Sequence, residues 1–210
     1  MSVESSFNRF VRELERFLAE HGYERSGGRV FRKYSPAGDA LVLDVQTASG
    51  SDRTARMFFL NTALVLGPAY AMYLRRTGKP DTQLPRTVNG LWRDRVQVDH
   101  EDEFTITDDA SANAVWQRVR PALEAQLALM DQLLDRDRLR ELAENDELRR
   151  TSPEFVLAWL AAAEGDAAGL DKILSSEFSA ERRDSDGVRS MLAYVAERRQ
   201  RPENARPAKQ

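Results

Sequence analysis

The chain has 210 residues, of which 41% are hydrophobic and 31% are charged, with a formal net charge of −3 and no cysteine. This length predicts one complete α+β domain with a buried core and a smaller helical piece. The negative net charge argues against nucleic acid or an anionic membrane surface as the partner. The absence of cysteine excludes disulfides, zinc–thiolate sites, iron–sulfur clusters and thiol catalysis.

The sequence shows none of the usual signals of export or membrane insertion. The first six residues lack the basic region and the following apolar region of a secretory signal. The longest apolar run, around residues 63–73, is interrupted by Gly67 and Pro68 and is shorter than the ~20 residues of a transmembrane helix. Because the lack of cysteine also fits a reducing compartment, we predict a cytoplasmic protein without a membrane partner.

The first half of the chain predicts a helix followed by an antiparallel sheet. Apolar residues repeat with helical spacing over residues 7–18, after an N-cap at Ser2 or Ser5. Period-two alternation then predicts strands joined by short turns, which favours an antiparallel meander. These strands lie at residues 29–34, 40–48 and 56–66.

The middle of the chain has weaker signals that end in a long amphipathic helix. Asp108 or Asp109 is expected to cap this helix, and Pro121 is expected to kink or divide it. The preceding segments are predicted as a short helix from Pro68, an exposed loop at 75–86 and strands at 88–98 and 103–107.

The C-terminal third is predicted to be helical. Ser152 is the expected N-cap of one helix, Pro153 its first residue and Gly165 its end, and a last helix is expected at residues 187–199. The fold class is therefore α+β, with a meander sheet packed on an N-terminal helix and a long helix. The predicted regions are an α+β domain at 1–135, an all-helical extension at 136–199 and a disordered tail at 200–210.

The residue types that dominate enzyme active sites are scarce in this chain. Its two histidines are His21, at the expected end of the first helix, and His100, which lies among four carboxylates. Adjacent residues of an extended segment point to opposite sides, so at most half of these carboxylates could converge with His100 on one ligand. No serine lies in a Gly-x-Ser-x-Gly elbow, and no glycine pattern matches a phosphate-binding or dinucleotide-binding loop. We therefore predict no catalytic residue, no metal site and no cofactor.

Polar residues inside the predicted strands form the one candidate ligand site. Alternation places Asp44 and Gln46 on the same sheet face, and Asn61 of the next strand is expected to join them. Arg56 and Arg93 are the candidate anchors for an anionic group. The same pattern also describes the ordinary solvent face of an antiparallel sheet, so the sequence leaves both interpretations open.

Charged residues are segregated along the chain. Residues 75–95 contain six basic residues and two acidic ones, whereas residues 99–109 contain six acidic residues and neither arginine nor lysine. Such blocks are typical of solvated surface, and they also steer a charged protein partner.

Four short motifs lie in the first part of the chain: His21-Gly22-Tyr23, Val30-Phe31-Arg32-Lys33, Val45-Gln46 and Phe58-Phe59-Leu60-Asn61. They resemble an uncharacterised bacterial family, domain of unknown function 4304, over about residues 5–135. The family's strand with paired tryptophans corresponds here to residues 103–106, which contain none. The resemblance implies the α+β fold and no established activity, and similar small bacterial proteins act by binding macromolecules, including toxin-neutralising immunity-type proteins.

These observations favour a protein that binds another protein without catalysing a reaction, as an interaction or regulatory module. The alternative is an enzyme or small-ligand-binding protein that uses the polar sheet face around Asp44. The sequence identifies neither the partner nor the oligomeric state.

Overall fold

The computed structural model of the chain divides it into two compact units. The first comprises Met1–Val65 and Thr82–Leu139, and the second comprises Leu66–Asp81 and Arg140–Gln210. The structure describes residues 2–67, 73, 76, 90–148 and 151–200. The predicted helix from Pro68 and the predicted loop at 75–86 lie almost entirely outside these residues.

The first unit combines helices with an antiparallel sheet whose strands differ in length, which confirms the predicted α+β class. The short first strand, β1, was not predicted, because its four residues are polar and carry no apolar alternation. The helices are α1 (Val3–Glu20) and α2 (Asp109–Leu133). The strands are β1 (Glu24–Gly27), β2 (Val30–Tyr34), β3 (Ala40–Thr47), β4 (Arg56–Val65), β5 (Trp92–Arg95) and β6 (Glu103–Ile106).

The strands follow one another in the sheet in chain order from β1 to β5, and every pairing is antiparallel. This is the predicted meander. The outer edge of β4 is shared by two partners, because β5 pairs with Asn61–Leu64 and β6 pairs with Arg56–Phe59. The long strand β4 therefore brings the short strands β5 and β6, and the loop between them, to one edge of the sheet.

Both helices of the first unit lie over one face of this sheet. Phe58 of β4 is fully buried there, with ring centroids 5.2 Å from Phe7, 5.0 Å from Phe10 and 5.7 Å from Phe104. Ser2 caps α1 through the backbone N–H of Ser5, as one of the two predicted caps. Packing of apolar residues on this face stabilises the sheet and fixes which side of each strand stays accessible.

The long helix α2 begins at a capping box and continues through its internal proline. Asp108 accepts a hydrogen bond from the backbone N–H of Ser111 at 2.8 Å, so Asp108, not Asp109, is the cap. The expected division at Pro121 is wrong, since the helix is continuous. Val119 and Leu123 on either side of it are fully buried, and this packing outweighs the ~3 kcal/mol cost of proline in a helix.

Strand β5 is shorter than the predicted strand at 88–98, of which residues 88 and 89 lie outside the described part. The chain turns back beyond β5, because Val98 pairs with Glu101 across a two-residue turn. Asp99 and His100 of this turn have φ values of 54° and 71°. These values belong to the left-handed region, which ends the extended conformation.

A buried ion pair joins the turn before β3 to the chain that follows α2. Asp39 is 1% exposed, and its carboxylate accepts hydrogen bonds from Arg136 Nε at 2.7 Å and from the second guanidinium nitrogen at 2.9 Å. This bidentate geometry is the strongest that arginine and a carboxylate form. The contact crosses 97 residues of sequence and therefore constrains the first unit as a whole.

The second unit is helical in its described residues. Gly165, with a φ of 79°, ends the helix Pro153–Glu164 as predicted. Ser152 lies at the N-cap of that helix but makes no capping hydrogen bond from its side chain, which accepts one from Arg182 instead. Gln200, assigned above to a disordered tail, is the last helical residue, and the rest of that tail lies outside the described part. The helices that follow α2 are α3 (Arg136–Glu144), α4 (Pro153–Glu164), α5 (Ala167–Glu177), α6 (Ala180–Arg183) and α7 (Asp186–Gln200).

Among the residues that the structure describes, no helix combines the length and the apolar character needed to cross a membrane.

Candidate functional site

The three polar residues selected from the alternation pattern lie together on the sheet face opposite α1 and α2. Asp44 pairs with Asn61 across β3 and β4, and Gln46, two residues after Asp44, points to the same side. The alternate residues Leu43 and Val45 of β3 are buried on the helix-covered face. Asp44 and Asn61 are half-buried, while Gln46 is exposed.

A row of hydrogen bonds connects these residues to a part of the sheet that was not predicted to belong to the site. Arg95 Nε donates to Asn61 Oδ1 at 3.1 Å, and Asn61 Nδ2 donates to Gln46 Oε1 at 2.8 Å. A second guanidinium nitrogen of Arg95 donates to Asp102 in the β5–β6 loop at 2.9 Å. The row thus crosses β3, β4 and β5 and ends in the loop.

An aromatic ring lies against this row. The guanidinium carbon of Arg95 is 4.1 Å from the centroid of the Phe59 ring, which is cation–π geometry. Phe59 pairs with Gln46 across β3 and β4 and is half-buried. We call the group formed by Asp44, Gln46, Phe59, Asn61, Arg95 and Asp102 the polar cluster.

Asp44 is the member of the polar cluster whose charge is least compensated. Within the described part of the chain its carboxylate accepts one hydrogen bond, from Asn61 Nδ2, at 3.5 Å. Burial raises the pKa of Asp44 above its ordinary value, and the bond from Asn61 opposes that shift only in part. Unlike Asp39, which an arginine holds with two short bonds, Asp44 keeps acceptor capacity that the described residues do not use.

Replacing Asp44 with asparagine is expected to raise the melting temperature at about pH 7 and to leave it unchanged at about pH 3. The folded-state pKa is raised, so the folded protein binds the proton more tightly than the unfolded chain does, and ionisation of Asp44 destabilises the fold. This destabilisation by ionised Asp44 is absent below the unfolded-state pKa of Asp44 and is complete above its folded-state pKa. Thermal melts of both proteins from acid to neutral pH measure it.

A constant offset between the two melting curves at every pH would contradict this account, because it would show that side-chain shape rather than charge causes the difference. Glu20→Gln on the exposed end of α1 provides the matched control, since it removes a carboxylate charge from a solvated position.

Of the two proposed anion anchors, the structure brings one to this face. Arg93 pairs with Ala63, which places it on the same side as Asn61, and it is exposed. Arg56 lies on the opposite side, in the row that contains Phe58, and binds Glu4 of α1 at 2.7 Å. Arg56 therefore does not join Asn61 on this face, because residues 56 and 61 of one strand differ by an odd number and side chains alternate.

Arg95, Asp102 and Phe59 are the members that the sequence-based analysis missed. Phe59 differs from Asn61 by two residues, so alternation within β4 was sufficient to place it on this face. Arg95 follows Arg93 by two residues, and that spacing alone indicated a shared face. Asp102 had no such signal, because its position depends on the turn at Asp99 and His100.

The acidic segment around His100 does not form a metal site in the part of the chain that the structure describes, where no three His, Asp or Glu side chains converge as metal ligands. Two of its carboxylates instead face Arg118 of α2, at 3.6 Å for Asp99 and 3.2 Å for Glu101. This segment therefore positions the β5–β6 loop through ion pairs with α2.

The second unit contains an open pocket of about 310 Å³. Its lining is mostly apolar, and Leu192 at its rim is 48% exposed. The lining residues are Ala167, Leu170, Leu192, Val195, Ala196, Arg199 and Gln200.

Comparisons of the chain with known proteins found no match. No protein-family model matches the chain, no curated protein matches its sequence, and no solved structure matches its fold. The resemblance to domain of unknown function 4304 therefore stays a prediction.

Proposed function

We propose that this chain is a non-enzymatic interaction module of the cytoplasm that binds another protein through the sheet face bearing the polar cluster. The stacking of Arg95 on Phe59, in a half-buried position on a sheet face, is the observation that carries this proposal. Arginine and aromatic residues are enriched at the energetic centres of protein interfaces. Asn61 and Asp102 hold the arginine in place, so little side-chain entropy is lost when a partner binds it.

The arrangement of the cluster supports a protein partner better than a catalysed reaction. Its side chains hydrogen-bond to one another across three neighbouring strands, so they form an extended surface. None of the six members is a histidine, serine, lysine or tyrosine, which leaves carboxylates as the only candidate acids or bases. Asp102 is neutralised by Arg95, and the amide of Asn61 already donates to Gln46 and, over a longer distance, to Asp44. The remaining unused group is one carboxylate, which does not make an acid–base pair.

The test is quantitative affinity capture from cytoplasmic extract with matched variants. The wild-type chain and the control variant Arg12→Ala, on the exposed side of α1, are expected to recover the same specific protein. Phe59→Ala and Arg95→Ala are expected to lose it, with at least about tenfold weaker binding when the purified pair is measured by calorimetry. Equal recovery by all four proteins would show that binding does not use this face.

The alternative, a small-ligand-binding protein or enzyme centred on Asp44, is favoured by the unused acceptor capacity of that carboxylate. It predicts that a metabolite raises the melting temperature of the wild-type chain and not of Asp44→Ala. Such a shift, combined with the absence of a captured protein, would replace the proposal above with this one.

A further inference from the structure

We propose that the partner places the cationic side chain of a lysine or arginine against Asp44. This inference rests on the proposed function, since it names the chemistry that a protein must present to the polar cluster.

The first argument is the charge that the described fold leaves uncompensated on this face. Asp44 accepts one long hydrogen bond from an amide. Glu103 pairs with Phe59 across β4 and β6, so its side chain points to the same face, and it is exposed without an ion pair among the described residues. The positive charge of Arg95 is matched by Asp102 at 2.9 Å, and Arg93 already makes an interaction of its own. Two carboxylates, on the strands β3 and β6 that pair with β4, therefore remain for a partner to neutralise.

The second argument is the cost of covering Asp44. Its carboxylate is half-buried, and it still has water on its accessible side. A docked protein surface removes that water, and a charged group that is then left unpaired costs far more than a lost neutral hydrogen bond. The amide of Asn61 relieves this cost only in part, because one of its two hydrogens is donated to Gln46 at 2.8 Å and the other makes only the long 3.5 Å bond to Asp44. The compensating group must therefore come from the partner.

A cationic donor meets this requirement better than a neutral one. Hydrogen bonds between charged groups are roughly twice as strong as neutral ones, and an adjacent cation favours the ionised carboxylate that burial disfavours. The negative charge of Glu103, at the edge of the face, also attracts the partner's cationic side chain. This attraction increases the association rate of a basic segment. Charge complementarity thus selects a segment with at least one lysine or arginine.

The experiment uses the full chain and a phage-displayed library of random peptides. Peptides are selected on the wild-type chain, and those that also bind Phe59→Ala are discarded, so that the retained peptides require this face. We expect the retained peptides to be enriched in lysine and arginine. Synthetic peptides are expected to bind Asp44→Asn about tenfold to 100-fold more weakly than the wild-type chain, with Glu20→Gln binding unchanged.

Two further measurements separate a specific ion pair from general attraction. Replacing the enriched lysine or arginine of the peptide with glutamine should weaken binding to the wild-type chain and have little effect on binding to Asp44→Asn, as a double-mutant cycle requires. Salt should weaken the wild-type complex more steeply than the Asp44→Asn complex.

The outcomes distinguish this inference from the function on which it rests. Face-dependent peptides without lysine or arginine, or peptides that bind Asp44→Asn as tightly as the wild-type chain, overturn the inference and leave protein binding through this face standing. If no peptide is recovered that requires this sheet face, the result counts against both the inference and the proposed function.

Discussion

Replacing Asp39 with alanine is expected to lower the free energy of unfolding by about 3–5 kcal/mol, the cost of removing one partner of a buried ion pair. Asp39 is 1% exposed, and the side chain of Arg136 is 21% exposed. The carboxylate fills two hydrogen-bonding positions of the guanidinium, at 2.7 and 2.9 Å. Without Asp39, this partly buried cation loses both bonds in a place that water reaches poorly.

Urea denaturation followed by circular dichroism measures the loss. Arg118→Ala is the matched control, because it breaks ion pairs whose side chains are 48–83% exposed, and such pairs contribute about 0–1 kcal/mol. In a double-mutant cycle, Arg136→Ala should recover part of the stability that Asp39→Ala loses, since it removes the cation that has lost the Asp39 carboxylate. A loss for Asp39→Ala no larger than that for Arg118→Ala would mean that the pair does not constrain the fold.

The ion pair also shows where sequence patterns stop being informative. Asp39 ends a turn rich in proline and glycine, and such aspartates are usually solvated. Its burial depends on Arg136, which lies 97 residues later in the chain. Local periodicity carries no information on a contact of that separation. It did place β2, β3 and β4 within one residue of their observed bounds.

The candidate site was predictable to the extent that it depends on alternation within a strand. Asp44 and Gln46 of β3 share a face because side chains alternate, and Asn61 joined them because β3 and β4 form an adjacent pair. Arg95 and Asp102 reach the site through the pairing register of β5 and the turn that follows it, which depend on tertiary packing. The same alternation, applied to β4, would have excluded Arg56.

Replacing Phe58 with alanine is expected to destabilise the fold by about 3–5 kcal/mol, whereas the same change at the adjacent Phe59 is expected to cost roughly 1 kcal/mol. Phe58 is fully buried against three other phenylalanines under α1 and α2. Its truncation leaves a cavity that the packed rings cannot fill. Phe59 lies on the opposite face, half-buried, and its main described aromatic contact is with Arg95.

The two neighbouring phenylalanines therefore separate stability from binding. If the face bearing the polar cluster binds a protein, Phe59→Ala abolishes capture while it keeps nearly the wild-type urea midpoint. Phe58→Ala reduces binding only in proportion to the fraction of unfolded chain, because its side chain points away from the partner. Equal destabilisation by both variants would mean that Phe59 is a core residue, and its stacking on Arg95 would then no longer support an interface. Urea denaturation and binding measured on the same two proteins decide between these outcomes.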